Sequence, residues 1–312
     1  MRREGSPWQG LGVVILKELS DHLTSARMRM LEWLVVLTAI AAVYAAITQV
    51  RDSTAEDPFL FLRLFTTARD PLPSFVSFLG FLVPLMAIGL GFDSVNGEHN
   101  QRTLSRILSQ PIYRDALLFG KFLAGIATLS ISLIVLWLLV IGIGLLMLGV
   151  PPGGAEMGRA LAFLGVTIAY AGVWLALAML LSVVFRSPAT AGLVTLGIWL
   201  FLTVIWPALA PAVAQAFVPS DDEATLIIAS QMLARLSPST LFGETVLALL
   251  HPTTRTLGPV YLSDLQGAVM GAPLPLVQSL LVAWPQIVGL IGASILLFVG
   301  GYIAFQRQEV RA

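Results

Sequence analysis

The stretch GFDSVNGEHNQRTLSRILSQPIYRDALLFGKFLAG, Gly91 to Gly125, decides the fold. On each side of it lies an apolar run beyond the roughly 18 residues that mark a membrane span. Between those runs sit two carboxylates, Asp93 and Glu98, two arginines four apart, Arg102 and Arg106, then Pro111 and the pair Gly120-Lys121. A chain that crosses a bilayer and pauses on so ordered a polar segment is using that segment at a membrane surface.

The composition of the chain agrees. Of its 312 residues 57% are hydrophobic and 12% charged, against about 25% charged in soluble domains. The formal net charge is zero, so no global field draws nucleic acid. With no cysteine there is no disulfide, thiolate nucleophile or thiolate metal site. The first apolar run, Leu11 to Leu16, is short and leads into Lys17, Glu18 and Asp21, which is not a signal-peptide pattern.

Hydropathy predicts an all-α polytopic membrane protein, a single unit over 1–312, with six spans at 30–50, 75–92, 116–150, 159–185, 189–211 and 280–305. Pro151–Gly154 ends the third span, and Arg186–Pro188 turns the fourth into the fifth. Twelve of the 18 lysines and arginines fall on the side of the termini. The positive-inside rule therefore predicts cytoplasmic termini and a cytoplasmic 91–125 segment in a multi-pass protein of the cell membrane. The ionisable residues Glu32, Asp93, Lys121 and Arg159 are placed at span ends. Span interiors offer hydroxyls and an amide, among them Ser132, Tyr170, Thr203 and Gln286, which read as helix-to-helix hydrogen-bonding groups. A proton or sodium relay needs titratable groups at mid-depth. Energy for uphill transport is thus expected from outside the bilayer.

On a helix over 101–109, Leu104, Ile107 and Leu108 share one face and Arg102 and Arg106 the other. Pro111 stops that helix, and Asp115 suits a cap for the next. By pattern alone this is either an interfacial anchor with snorkelling arginines or a docking element for another protein.

The order FD…GE, then Thr-Leu, then P-x-x-R and G-K resembles the signature of ABC-2 type transporter permeases. The matching positions are Asp93, Gly97, Glu98, Thr103, Leu104, Pro111, Arg114, Gly120 and Lys121, with Arg102 standing where the family usually has glycine. The opening ILKELSDHLTSARMRML is similar to the family's first helix, and LSPSTLF, Leu236–Phe242, is similar to the branch containing the permease of the nitrous-oxide reductase maturation machinery. The resemblance implies a short coupling helix over 101–109 that meets a separate cytosolic ABC ATPase, two copies serving two permease subunits, a homodimer or this chain with a paralogue. It implies ATPase-coupling roles for Glu98, Arg102, Thr103, Leu104, Arg106, Ile107, Leu108, Pro111 and Arg114. ATP and Mg then belong to the partner, and this chain carries no cofactor and no catalysis of its own. Phe119–Phe122, FGKF, lacks the glycine spacing of a phosphate loop. Asp93 and Glu98 are expected to form a polar clasp with Arg102, Arg106 or another basic group, and Lys121 to snorkel.

Two flanking regions complete the expectation. Residues 7–27 predict an amphipathic connecting helix on the cytoplasmic leaflet, with Trp8, Leu11, Ile15, Leu19, Leu23 and Ala26 on its apolar face and His22 near the edge. Residues 212–279 predict an external segment with two amphipathic helices over the outer mouth, open to an extracytoplasmic partner; Ser237-Pro238 starts the second and His251-Pro252 ends it. His22, His99 and His251 fall on separate segments, and Met28 and Met30, two apart, diverge on a helix, so no metal site is expected. The rival functions are an ion-gradient-driven secondary carrier and a non-transporting membrane scaffold.

Overall fold

The computed structural model describes residues 8, 10–52, 59–100, 113–218, 223–257 and 273–307. Six helices in it are long and apolar enough to cross a membrane. The first is α2 (Ala26–Asp52), preceded by α1 (Leu11–Thr24) and followed by the short α3 (Leu60–Thr66). Next come α4 (Phe75–Gly91) and its appendix α5 (Asn96–Asn100), then α6 (Arg114–Leu148) and α7 (Gly154–Val184). The fifth span joins α8 (Pro188–Leu200), a π-helical turn (Phe201–Ile205) and α9 (Trp206–Phe217). Helices α10 (Glu223–Ala234) and α11 (Pro238–Leu250) precede the last span, α12 (Leu276–Arg307).

Local sequence explains the ends and breaks. Helix α6 stops two residues before the expected Val150 because Gly149 takes φ 72° and closes the last turn. The hydroxyls of Ser74 and Ser187 accept from the backbone N–H of Ser77 and Thr190, capping α4 and α8. The π turn lies just before Pro207, which has no N–H to give the carbonyl four residues back. Pro84 likewise leaves the Gly80 carbonyl of α4 without its helical donor, and the Tyr170 hydroxyl of α7 donates to it at 2.9 Å.

Helix α7 is the axis of the bundle. Phe163, Tyr170 and Trp174 on it are among the most buried side chains, and it packs on α4, α6, α11 and α12. Small residues let the helices close: a Cβ at Gly91 would stand 2.7 Å from that of Ala178. At the end away from the termini α7 opens with two clamps. Glu156 accepts the Phe61 N–H at 2.8 Å, and Arg159, 1% exposed, donates to the carbonyls of Leu249 (2.7 Å) and Leu274 and to the Ser279 hydroxyl at 3.0 Å. Arg159 is thus a buried tie between α7 and the last two helices, deeper than a span-end charge.

The helices before the last span correct the expectation of a pair lying across the span ends. The Ser239 hydroxyl is 2.9 Å from the Tyr170 hydroxyl and 2.8 Å from that of Thr203. Tyr170 is 16 residues from Gly154 and 14 from Val184, about 24 and 21 Å at 1.5 Å per residue. The turn joining α10 to α11 therefore dips to the middle of the bundle. Helix α11 runs back up against α3, α4, α7 and α12, with Phe242 stacked on Tyr170 at 4.4 Å. Helix α10 follows α9, held by Trp206 donating to the Leu233 carbonyl at 2.8 Å. It is apolar nearly all round and buries no residue, the pattern of a helix whose outer face meets lipid. The two form a re-entrant hairpin. Ser237-Pro238 does start α11, and α11 does end before His251.

Candidate functional site

The polar groups gather where α1, α5, α6 and the close of α12 meet, at the end carrying both termini. Helix α1 lies on α6 because Gly120 leaves room: a Cβ there would stand 2.6 Å from Val14 Cγ1. Trp8 meets Phe119 edge-on at 5.2 Å, and Phe119 meets Phe298 of α12 at 4.8 Å. The packed face runs through Leu11, Val14, Ile15, Glu18, Leu19 and His22, so Leu23, expected inside, stands 38% exposed.

Lys121, one residue after Gly120, is the centre of an ion-pair network. Its Nζ lies 2.7 Å from Glu98 and 3.0 Å from Glu18, and its side chain is 4% exposed. Lys17 pairs with Glu18 at 2.8 Å and Asp21 at 3.2 Å, and reaches toward Glu98 at 4.0 Å. The expectation of a snorkelling Lys121 is overturned: its amine turns inward to two carboxylates. A buried charge stripped of its partners costs about 3–5 kcal/mol, so this triad registers three elements against one another.

Electrostatics on α1 follow from these contacts. Burial by itself pushes Glu18 up, but the Lys121 charge and the hydrogen bonds from Lys17 and Lys121 outweigh it and hold the carboxyl below its ordinary value. For Lys17 burial acts downward, and Glu18 and Asp21 more than reverse it. Burial lowers His22, which favours its neutral form.

Helix α5 is held on its other side as well. The Ser182 hydroxyl accepts from the N–H groups of Val95 (3.0 Å) and Asn96 (3.3 Å). The side chains of Asn96 and Asn100 donate to the carbonyls of Phe185 and Arg186, each at 3.2 Å. Just upstream, Arg27 grips Asp93 with two hydrogen bonds, 2.8 and 3.1 Å, and its guanidinium stacks over Phe92 at 4.9 Å. At the start of α6, Asp115 accepts from the Tyr302 hydroxyl at 2.9 Å and from Gln306.

Of the predicted coupling residues, Glu98 is brought into the network and Arg114 opens α6. Arg102, Thr103, Leu104, Arg106, Ile107, Leu108 and Pro111 lie outside the described residues, as does the whole 101–109 helix. Both flanks of that segment are fixed to α1, α6, the α7–α8 turn and α12. Among the described residues, Arg27 pairs with Asp93, and Lys121, with Lys17 farther off, pairs with Glu98. Sequence reasoning missed Glu18; its signal was a carboxylate inside the apolar stripe of α1, between Ile15 and Leu19. Met28 is 1% and Met30 73% exposed, so the two thioethers do point apart.

The ABC-2 family transporter proteins match residues 13–310, nearly the full chain. The chain belongs to the ABC-2 transporter family. Among its relatives are two proteins described as probable ABC transporter permease protein NosY. The one from Pseudomonas aeruginosa is 28% identical over 256 residues, 79% of this chain and 83% of that protein. The one from Stutzerimonas stutzeri is 26% identical over 303 residues, 94% of this chain and 96% of the relative. As an ABC-2 permease the chain keeps both acids of the FD…GE motif in work: Asp93 holds the entry to α2, and Glu98 holds α5 on Lys121 of the G-K motif.

Proposed function

We propose that this chain is the permease subunit of an ATP-driven transporter, coupled to a separate ABC ATPase through residues 101–109 on the cytoplasmic side. The chain is an ABC-2 membrane permease by family; the observation that supports the coupling reading is how the flanks of that segment are held. Glu98 on one flank is tied to α1 and α6 through Lys121, and Asp115 on the other is tied to α12. Asn96 and Asn100 tie α5 to the α7–α8 turn. A force applied at 101–109 would thus reach four elements through short polar contacts, and α7 would carry it to Tyr170 and the re-entrant tip. By sequence pattern Leu104, Ile107 and Leu108 are the residues assigned to docking, with Arg102 and Arg106 on the other face and Arg114 beyond Pro111. Two permease subunits, as a homodimer, and two ATPase subunits complete the assembly, with ATP and Mg bound by the ATPase.

The branch serving nitrous-oxide reductase maturation is favoured by the shared name of the two relatives and by Leu236–Phe242. That motif covers the end of the hairpin turn and the start of α11, and the partner on the far side would meet residues 212–279. The test is purification with the partner. The native complex should contain a protein bearing a Gly-x-x-x-x-Gly-Lys-Ser/Thr loop and hydrolyse ATP. Leu104→Asp or Ile107→Asp should lose that subunit while the permease still inserts. Recovery of the whole complex with both variants would overturn the docking role.

A further inference from the structure

Glu32 lies six residues inside α2, about 9 Å along the helix from Ala26 at 1.5 Å per residue. The helix that carries it begins four residues before the predicted span start at Met30. The Ser132 hydroxyl of α6 donates to it at 2.9 Å. Among the described residues no cation stands at ion-pair distance from the carboxylate. Both groups line a cavity of about 280 Å³ between α2, α4 and α6, whose other walls include Leu23, Val35, Met86 and Ile131.

Among the described residues the carboxylate has one neutral hydrogen bond, from Ser132, and its other acceptor sites face aliphatic side chains, where a cationic donor is the stronger partner. The coupling network leaves Glu32 aside: Lys121 and Lys17 are taken by Glu18, Asp21 and Glu98, and Arg27 by Asp93. The cavity is near the lower end of small-molecule sites, about 300 Å³. Apart from Glu32 and Ser132 its walls are aliphatic or thioether side chains, which suits one apolar tail with a polar head. Ile131 and Val135 of its wall are 41% and 54% exposed on α6, a membrane-length helix.

We propose that the cavity between α2, α4 and α6 is a binding site for a single-tailed membrane amphiphile with a primary ammonium head, which pairs with Glu32. The ammonium donates to the carboxylate oxygens, Ser132 holds the carboxylate in place, and the aliphatic tail lies along Val35, Met86 and Ile131. An alcohol of the same chain fills the same walls without the ion pair, so the head group sets the preference.

The experiment uses the full chain, purified with its partner subunits and reconstituted in phosphatidylcholine vesicles. A spin-labelled long-chain primary amine and the alcohol of equal length are compared by the fraction immobilised on the protein. The amine should bind about tenfold tighter than the alcohol, the size of one charge-assisted contact. E32Q should bring the amine down to the level of the alcohol, S132A should keep the preference, and I131W, which fills the mouth from a 41% exposed position, should weaken both. Equal binding of amine and alcohol to the unaltered protein would overturn the site. So would an amine preference that survives E32Q, which would mark attraction to other acids, or probe binding that I131W leaves unchanged.

Discussion

Lys121 on α6 reaches Glu98 on α5 at 2.7 Å from a position one residue after the glycine that admits α1. The G-K pair is therefore one device: Gly120 sets the distance between helices and Lys121 uses it, pairing also with Glu18 at 3.0 Å. Replacing Lys121 by Met leaves Glu18 to Lys17 and removes the buried cation 2.7 Å from Glu98. The expected cost is about 3–5 kcal/mol, seen as a lower thermal midpoint of the purified complex. Adding Glu18→Gln and Glu98→Gln should recover much of it, because the neutral trio no longer strands a charge. A triple variant as unstable as Lys121→Met would contradict the pairing.

Steric fit of the same joint is separately testable. Gly120→Ala places a Cβ 2.6 Å from Val14 Cγ1, and overpacking of this kind costs about 1–3 kcal/mol. Val14→Ala in the same chain should restore the melting temperature to near its original value. Compensation of this sort is specific to direct contact, so a double variant that simply adds the two losses would place α1 elsewhere.

The pH dependence of the joint follows from its shifts. Glu18 is held below its ordinary value, after burial has acted against the shift. Its stabilisation is complete above the ordinary carboxylate range, about 4.3, and is lost as pH falls through the lowered value. His22, lowered by burial, loses stability in the same direction, beginning as pH falls below about 6.5. Lys17, where Glu18 and Asp21 outweigh burial, is raised; its share is present below about 10.4 and lost as pH rises through the raised value. Thermal melts between pH 4 and 7 should fall on acidification, and His22→Phe should flatten the upper part of that fall.

How much of this was legible in the sequence depended on the range of the signal. The spans were legible because hydropathy accumulates over twenty or more neighbours, and FD…GE with G-K marked the right polar joint. Lys121 and Glu18 are 103 positions apart, and no local pattern couples them. Helices of 12 and 13 residues, α10 and α11, are too short to span and equally suit a surface or a re-entrant site. Their apolar content did not decide; Ser239 bonded to Tyr170 does. Pro84 was readable as a helix breaker, but the donor that answers it came from another span.

That donor supports the final prediction. Tyr170 serves Gly80, whose carbonyl Pro84 has orphaned, and also meets Ser239, which in turn meets Thr203. Three spans and the hairpin tip thus share one chain of hydroxyls in low dielectric, where each link polarises the next. Tyr170→Phe removes the centre of the chain and leaves a buried carbonyl unanswered, at about 1–3 kcal/mol. Ser239→Ala removes the tip alone and should cost about 0.6–1.7 kcal/mol, as for hydrogen bonds between membrane helices. Once Tyr170 is Phe, Ser239 has lost one of its two partners, so the double variant should lose less than the sum of the singles. Thermal unfolding of the four proteins in one detergent measures that difference. Strict additivity would separate the hairpin from the spine of α7 and remove the proposed route from α5 to the re-entrant turn.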